Sequence, residues 1–180
     1  MNDGATWKLL DRKLAYDSKF LKVYEDKVEL PNGSVIDDYT VVEKPSIVMV
    51  VATNSDNRVV ILNEYKYAAG EYLFALPAGH KKKDETTVEA AKRELAEETG
   101  YTSEEVEEVG VLREYPTKDL HSVYVIRAKN IKQSATQAHE ETESITHNLV
   151  TVAELKTQIR NHEWKASSAL AALTFSGILF

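Results

Sequence analysis

The segment between Gly79 and Tyr101 constrains this chain more than any other. It reads Gly79-His-Lys-Lys-Lys-Asp-Glu85, then seven residues, then Arg93-Glu94-Leu95-Ala96-Glu97-Glu98-Thr99-Gly100-Tyr101. Residues 86–99 carry the marks of a helix. Thr86 is placed as an N-cap and Glu89 follows three positions later, the pairing of a capping box. Gly100 stands where a left-handed residue ends a helix, and apolar Tyr101 follows it. At about 100° per residue, Val88, Ala91 and Leu95 share one apolar stripe. Glu94 and Glu98 lie at its edge and Glu97 just beyond.

Like charges one turn apart cost a helix a few tenths of a kcal/mol. Near a helix C-terminus they also oppose the dipole, and at the rim of a core desolvation adds to the cost. A solvated acidic face is one reading of Glu94, Glu97 and Glu98. The other is a metal-binding helix, because a divalent cation with oxygen ligands removes the penalty. Leu76-Pro77-Ala78 ahead of Gly79 and the helix stop at Gly100 favour the second.

Composition narrows the chemistry. The chain has 180 residues and no Cys, so neither a disulfide nor a thiolate metal site is available. Its acidic balance, 22 Lys and Arg against 29 Asp and Glu, argues against a duplex nucleic-acid binder. A small phosphorylated substrate remains compatible, since a bound cation inverts the local field. The polar start predicts no signal peptide. The apolar tract from Ala166 to Phe180 is too short to span a bilayer. A cytoplasmic location is expected.

Residues 1–45 read as a β unit, with strands over Phe20 to Leu30 and Ser34 to Glu43 joined by the turn Pro31-Asn32-Gly33. Ser46 to Thr53, Arg58 to Tyr67 and Tyr72 to Leu76 come next as strands. After the central helix lie strands at Val106 to Tyr115, Ser122 to Ala128 and Ile145 to Val150. Ile131 to Glu143 reads as a loop, and Val152 to Asn161 and Lys165 to Gly177 as helices. The pattern predicts an α/β (α+β) fold with helices on both faces of a mixed sheet.

The spacing in 79–101 resembles the Nudix box: a glycine, five residues, Glu, seven residues, Arg-Glu-apolar-any-Glu-Glu-any-Gly-apolar. Tyr101, where an aliphatic residue is usual, is its one soft position. The resemblance implies a Nudix-like α/β/α sandwich over residues 46–180, preceded by an N-terminal β unit, 1–45, expected to serve dimerisation. It further implies Mg²⁺, or Mn²⁺, held by Glu94 and Glu98, with Glu97 a ligand directly or through water. The Ala78 carbonyl completes the site, and Gly79 allows its close approach. Arg93 holds the carboxylates; an ordinary surface pair with Glu89 is the alternative. Glu85 supports the joint between loop and helix. The implied reaction is hydrolysis of a diphosphate bridge by cation-assisted in-line attack of water on phosphorus.

The general base implied by the ADP-ribose pyrophosphatase branch is a glutamate in a loop after the box. Glu141 is favoured, with Glu143 and Glu140 as alternatives and Glu97 as the competing base. The N-terminal β unit, Asn63-Glu64-Tyr65-Lys66-Tyr67, the run Leu73 to Gly79 and Pro116 all resemble the ADP-ribose and nucleoside diphosphate sugar branch. Lys66 stands where that branch usually has Arg, Ala75 where it often has Glu, and Thr117-Lys118-Asp119 departs from its pattern. Lys66 is a candidate diphosphate contact or a strand-end charge. Trp7, Tyr65 and Tyr72 are candidates for nucleobase stacking, or for core or dimer packing. Lys81, Lys82 and Lys83 either attract phosphates or solvate a loop. Phe175, Ile178, Leu179 and Phe180 either form an interface or pack on the core. A nucleoside triphosphate hydrolase and a non-catalytic nucleotide sensor are the rival functions.

Overall fold

A computed structural model describes residues 6–134 and 145–180. The chain divides into two compact units, one of Met1–Pro45 with Arg113–Ser122, the other of Ser46–Leu112 with Val123–Phe180.

The first unit is an antiparallel sheet in the order β1-β2-β3, formed by Lys8–Asp17, Lys22–Glu29 and Val35–Glu43. The sequence pattern predicts β2 and β3 but misses β1. Its run Lys-Leu-Leu-Asp-Arg-Lys-Leu-Ala-Tyr-Asp does not alternate, and every residue of β1 is exposed. One contact on this edge strand is well buried at its far end. Arg12 donates from Nε and Nη2 to Asp26 at 2.7 and 2.6 Å, and Asp26 is a buried carboxylate. A two-pronged guanidinium–carboxylate pair satisfies the acid that burial would otherwise make costly. The segment 113–122 joins this sheet through Val42, whose N–H donates to Lys118 O at 2.8 Å and whose carbonyl accepts from Leu120 N at 2.9 Å. Lys44 pairs with Asp119 at 2.6 Å, and His121 Nδ1 lies 2.8 Å from the Pro45 carbonyl oxygen.

The second unit is built on two sheets. One has the order β7-β4-β10-β9, from Ala78–His80, Ile47–Ala52, Val123–Lys129 and Glu105–Leu112. The other has the order β12-β5-β6, from Ile145–Val150, Val59–Lys66 and Glu71–Ala75. A short ribbon pairs β8 (Tyr101–Thr102) with β11 (Lys132–Gln133), the latter within a stretch the sequence reads as loop. β4 and β10 run parallel, and the other pairs are antiparallel. A central parallel strand is covered on both faces, which is why β4 reads as an unbroken apolar run.

Alternation along β4 sorts the two faces. Val48, Val50 and Ala52 pack with Ala90, Ala91 and Leu95 of α1 (Thr87–Thr99). Met49 and Val51 pack with Leu155 of α2 (Val152–Arg160) and with Ala169, Ala172 and Leu173 of α3 (Ser167–Phe175). Each fully buried Val or Leu contributes about 1.5–3 kcal/mol. Helices therefore cover both sides of the sheets, the predicted α+β sandwich. Ile178 and Leu179 pack against the α2–α3 side, whereas Phe175 and Phe180 are exposed. The Phe175 ring packs on Gly110, where an added Cβ would come within 2.3 Å of it.

Candidate active site

The capping box forms as predicted. Thr86 Oγ1 accepts from Glu89 N at 3.2 Å, and the Glu89 carboxylate accepts from Thr86 N at 2.7 Å. Gly100 takes the left-handed conformation with φ 71°, and its N–H closes on Ala96 O. The Thr86 cap contributes about 1 kcal/mol relative to alanine, and Gly100 fixes where the last turn stops. That turn carries Glu97 and Glu98 and no basic residue, so its charges oppose the helix dipole.

Arg93 is the hub of the acidic cluster. Its Nη1 donates to Glu94 at 2.7 Å and to Glu97 at 3.1 Å. Its Nε and Nη2 grip both oxygens of Glu85 at 3.2 and 2.8 Å, and Nη2 also reaches His80 O at 3.1 Å. The alternative pairing with Glu89 is excluded, because Glu89 is spent on the helix cap. Glu85 also accepts the Lys82 N–H at 2.6 Å. Hydrogen bonds from Arg93 first, and from Lys82, hold its carboxyl down at about 2, against an ordinary 4.5. Hydrogen bonds to Glu85 first, and then to Glu94 and Glu97, raise Arg93 above its usual range. Glu85 therefore ties loop to helix, a role the sequence suggests only through its place in the motif.

A carboxyl whose folded value is depressed stabilises the fold at pH above its unfolded value and loses that contribution as pH falls through the folded one. For Glu85 the window runs from about 4.5 down to about 2. Glu85→Gln should flatten the fall of unfolding free energy across that window. Urea unfolding at stepped pH in metal-free buffer measures it, and parallel profiles for variant and wild type would count against the Arg93–Glu85 tie.

Glu98 is 5% exposed, and its Oε2 accepts the N–H of Ala78 at 3.0 Å. Gly79 serves space rather than a turn. It lies in β7 without a positive φ, and a Cβ there would stand 2.1 Å from the Glu94 carboxyl carbon. The glycine makes room for the Glu94 carboxylate, a contact the spacing did not announce. Glu94 is pressed between that backbone and Arg93.

Three carboxylates, Glu85, Glu94 and Glu97, thus surround one guanidinium, and with buried Glu98 nearby in the same helix they leave a partly buried negative excess. Among the described residues no three acidic or imidazole side chains converge on one point as ion ligands would. Arg93 stands between Glu94 and Glu97, and Glu98 turns to Ala78. The all-oxygen donor set, the surplus charge and the cradle at Gly79 fit a hard divalent cation.

Strand alternation divides the remaining candidates. Across β12-β5-β6, Val60 and Leu149 meet α1, so Leu62, Glu64 and Lys66 share that face. Lys66 Nζ pairs there with Glu64. Tyr65 and Tyr72, a cross-strand pair with ring centroids 5.4 Å apart, project from the opposite face, with Phe74 and Trp164. His147, opposite Leu62, sets its ring edge-on to Tyr101 at 5.7 Å. Lys82 and Lys83 are exposed. Trp7 and Pro116 belong to the first unit, both exposed, with Trp7 edge-on to Tyr39 at 5.5 Å. Glu140, Glu141 and Glu143 lie outside the described residues. Glu64 was missed; its place two residues before Lys66 on a strand was the signal that joins them on one face.

A family model described as "NUDIX domain" matches residues 43–173, and one described as "Nucleoside diphosphate sugar hydrolase N-terminal domain" matches residues 7–42. The "Methanol dehydrogenase activator" of Bacillus methanolicus is 29% identical over 136 residues, 74% of this chain and 73% of that protein. The "ADP-ribose pyrophosphatase" of Bacillus subtilis (strain 168) is 27% identical over 124 residues, 69% of this chain and 66% of that one. A solved structure described as "ADP compounds hydrolase" superposes with a TM-score of 0.83 at 18% identity, covering 97% of this chain and 94% of the other. At that identity the likeness is one of fold.

Proposed function

The chain belongs to the Nudix family, and from that premise we propose that it hydrolyses the diphosphate bridge of ADP-ribose or of a nucleoside diphosphate sugar, releasing a nucleoside monophosphate and a sugar phosphate. The observation that carries the catalytic half is the acidic cluster braced by Arg93 beside the Gly79 cradle. The match of residues 7–42 to the N-terminal domain of nucleoside diphosphate sugar hydrolases supports the substrate class over nucleoside triphosphates.

Glu94 and Glu98 are the proposed ligands of Mg²⁺ or Mn²⁺, with Glu97 and the Ala78 carbonyl completing the set. A divalent cation, when bound, neutralises diphosphate oxygens and activates the attacking water. Arg93 keeps Glu94 and Glu97 oriented while Glu85 anchors Arg93 from behind. Lys66 offers a point charge to a phosphate oxygen. In the overall reaction the water oxygen forms a new bond to one phosphorus, the bridging P–O bond breaks, and the water's proton passes to a carboxylate. Glu141 is the proposed acceptor, with Glu143, Glu140 and Glu97 as alternatives.

The test is a panel of ADP-ribose, nucleoside diphosphate sugars and nucleoside triphosphates with Mg²⁺, with products identified by chromatography. Monophosphate release from the diphosphates is expected. Silence across them from folded protein would reject the reading, and preference for triphosphates would favour the rival one.

A homodimer through the first unit belongs to the same proposal. Trp7, Leu9, Leu10, Leu14 and Tyr16 are each 41–55% exposed on or beside the edge strand β1, more apolar surface than an isolated edge strand normally carries. Sedimentation should give twice the chain mass. A monomer at micromolar concentration would remove this part.

A further inference from the structure

The end of the sheet away from β7 carries a second recess. β7 pairs with β4 at Ile47–Met49, where that strand begins. Where β4 and β10 end, a cavity of about 500 Å³ opens beside Val51, Arg127, Lys129, Ser176 and Ile178. That size is typical of small-molecule sites. Alternation sets it across the sheet from α1: Met49 and Val51 look toward α2 and α3, whereas Val48, Val50 and Ala52 look toward α1 and its carboxylates.

The charges around the cavity cancel. Arg127 donates from Nε and Nη2 to Glu107 at 3.0 and 2.6 Å, and from Nη1 to Ser176 O at 3.2 Å. Lys129 stands in register with Glu105 across the β10–β9 ladder. α3 also ends at Ser176, which brings the negative end of its dipole here. An anion gains little in such surroundings. Hydrogen-bonding capacity, in contrast, is left over in both senses. Thr53 lines the cavity and is 7% exposed, and its hydroxyl makes no hydrogen bond among the described residues. Among those residues no fully buried side-chain oxygen or nitrogen lacks a partner, so this hydroxyl opens onto the cavity. Asn54 spends its Oδ1 on Asp56 N and Arg58 N and keeps its amide hydrogens. Asn130 spends Nδ2 on Glu105 and keeps its carbonyl oxygen. Asn57, a third amide in the lining, keeps both.

A sugar hydroxyl donates and accepts at once, as Thr53 and the amides do. The C–H faces of a sugar pack on aliphatic side chains such as Val51 and Ile178, and a neutral sugar brings no charge to compensate. Among the described residues the lining holds no aromatic ring on which a nucleobase would stack. We propose that this recess is a binding site for a neutral mono- or disaccharide, held by Thr53, Asn54, Asn57 and Asn130 against Val51 and Ile178. The site is separate from the acidic cluster and does not depend on the proposed hydrolysis.

The experiment titrates protein labelled at Val and Ile methyl groups with ribose, glucose and maltose, and separately with inorganic phosphate at matched ionic strength, followed by NMR. At least one sugar should give saturable shifts at Val51 and Ile178 in the millimolar range and leave Val48 and Val50 unmoved. Phosphate should shift none of the four. Thr53→Val and Asn57→Gly should each weaken sugar binding about fivefold, the loss of one hydrogen bond. Both variants should fold: Thr53→Val removes a hydroxyl without a partner, and glycine accepts the φ of 56° that Asn57 holds. Absence of saturable shifts at Val51 and Ile178 with all of these sugars would overturn the proposal. So would shifts that follow phosphate instead, which would mark an anion site, or sugar binding that both variants leave unchanged.

Discussion

Glu98→Gln should lower kcat about a thousandfold at saturating Mg²⁺, a loss of about 4 kcal/mol from the transition state. The substitution keeps the shape of the side chain. Its amide oxygen can still accept the Ala78 N–H that Glu98 holds at 3.0 Å, so β7 and α1 stay tied. What disappears is a charge at a position 5% exposed to water. In metal-free buffer the variant should melt at or slightly above the wild-type temperature, because one member of a crowded acidic group is gone. With cation added, the wild type should gain stability that the variant does not, since a ligand that binds only the folded state raises its stability by mass action. Melting with and without Mg²⁺ and Mn²⁺ titration followed by electron paramagnetic resonance read the two effects separately. Full turnover in the variant would remove Glu98 from the ligand set.

The second large effect is expected at Gly79. Replacement by alanine sets a methyl carbon 2.1 Å from the carboxyl carbon and one oxygen of Glu94. No side chain tolerates that distance, but the obstructing atoms are the far end of a flexible glutamate and not backbone. The carboxylate should swing out and the strand should stay. The stability cost is then roughly that of the lost Arg93–Glu94 hydrogen bond, about 1 kcal/mol, which moves the melting temperature by about 2–4 °C in a chain of this size. Activity should fall about a hundredfold, since a catalytic group displaced by an ångström costs that much. Cation half-saturation should rise in parallel. A variant that melts normally and turns over normally would show that Glu94 does not need the place it occupies.

Much of the site was legible because its chemistry is written in local spacing. The helix 87–99, its box at Thr86 and Glu89 and its glycine stop depend on neighbours within one or two turns, and so does the cluster of Glu94, Glu97 and Glu98. The fold class was legible for the same reason: buried strands such as Ile47–Ala52 announce themselves as apolar runs. What escaped depends on partners distant in sequence. β1 is a strand because β2 pairs with it, not because its own residues alternate. Arg93 turns to Glu85 rather than Glu89 because a loop folds back over the helix. The reason for Gly79 is a carboxylate fifteen positions away along the chain but touching it in space. Tyr65 and Lys66 are adjacent letters on opposite faces of a sheet, and only the register shows which of them looks toward α1.

The excursion 113–122 has a consequence for how the two units can be taken apart. It leaves the larger unit after β9, adds backbone hydrogen bonds to Val42 of the smaller one, and returns to begin β10. Cutting at residue 45 therefore yields two incomplete pieces: a sheet deprived of the segment bonded to Val42, and an enzyme core trailing ten residues with nothing to bind. Exchange of N-terminal units between relatives has to carry both stretches of chain together. The family models meet between residues 42 and 43, whereas the compact units share the chain across two separate stretches.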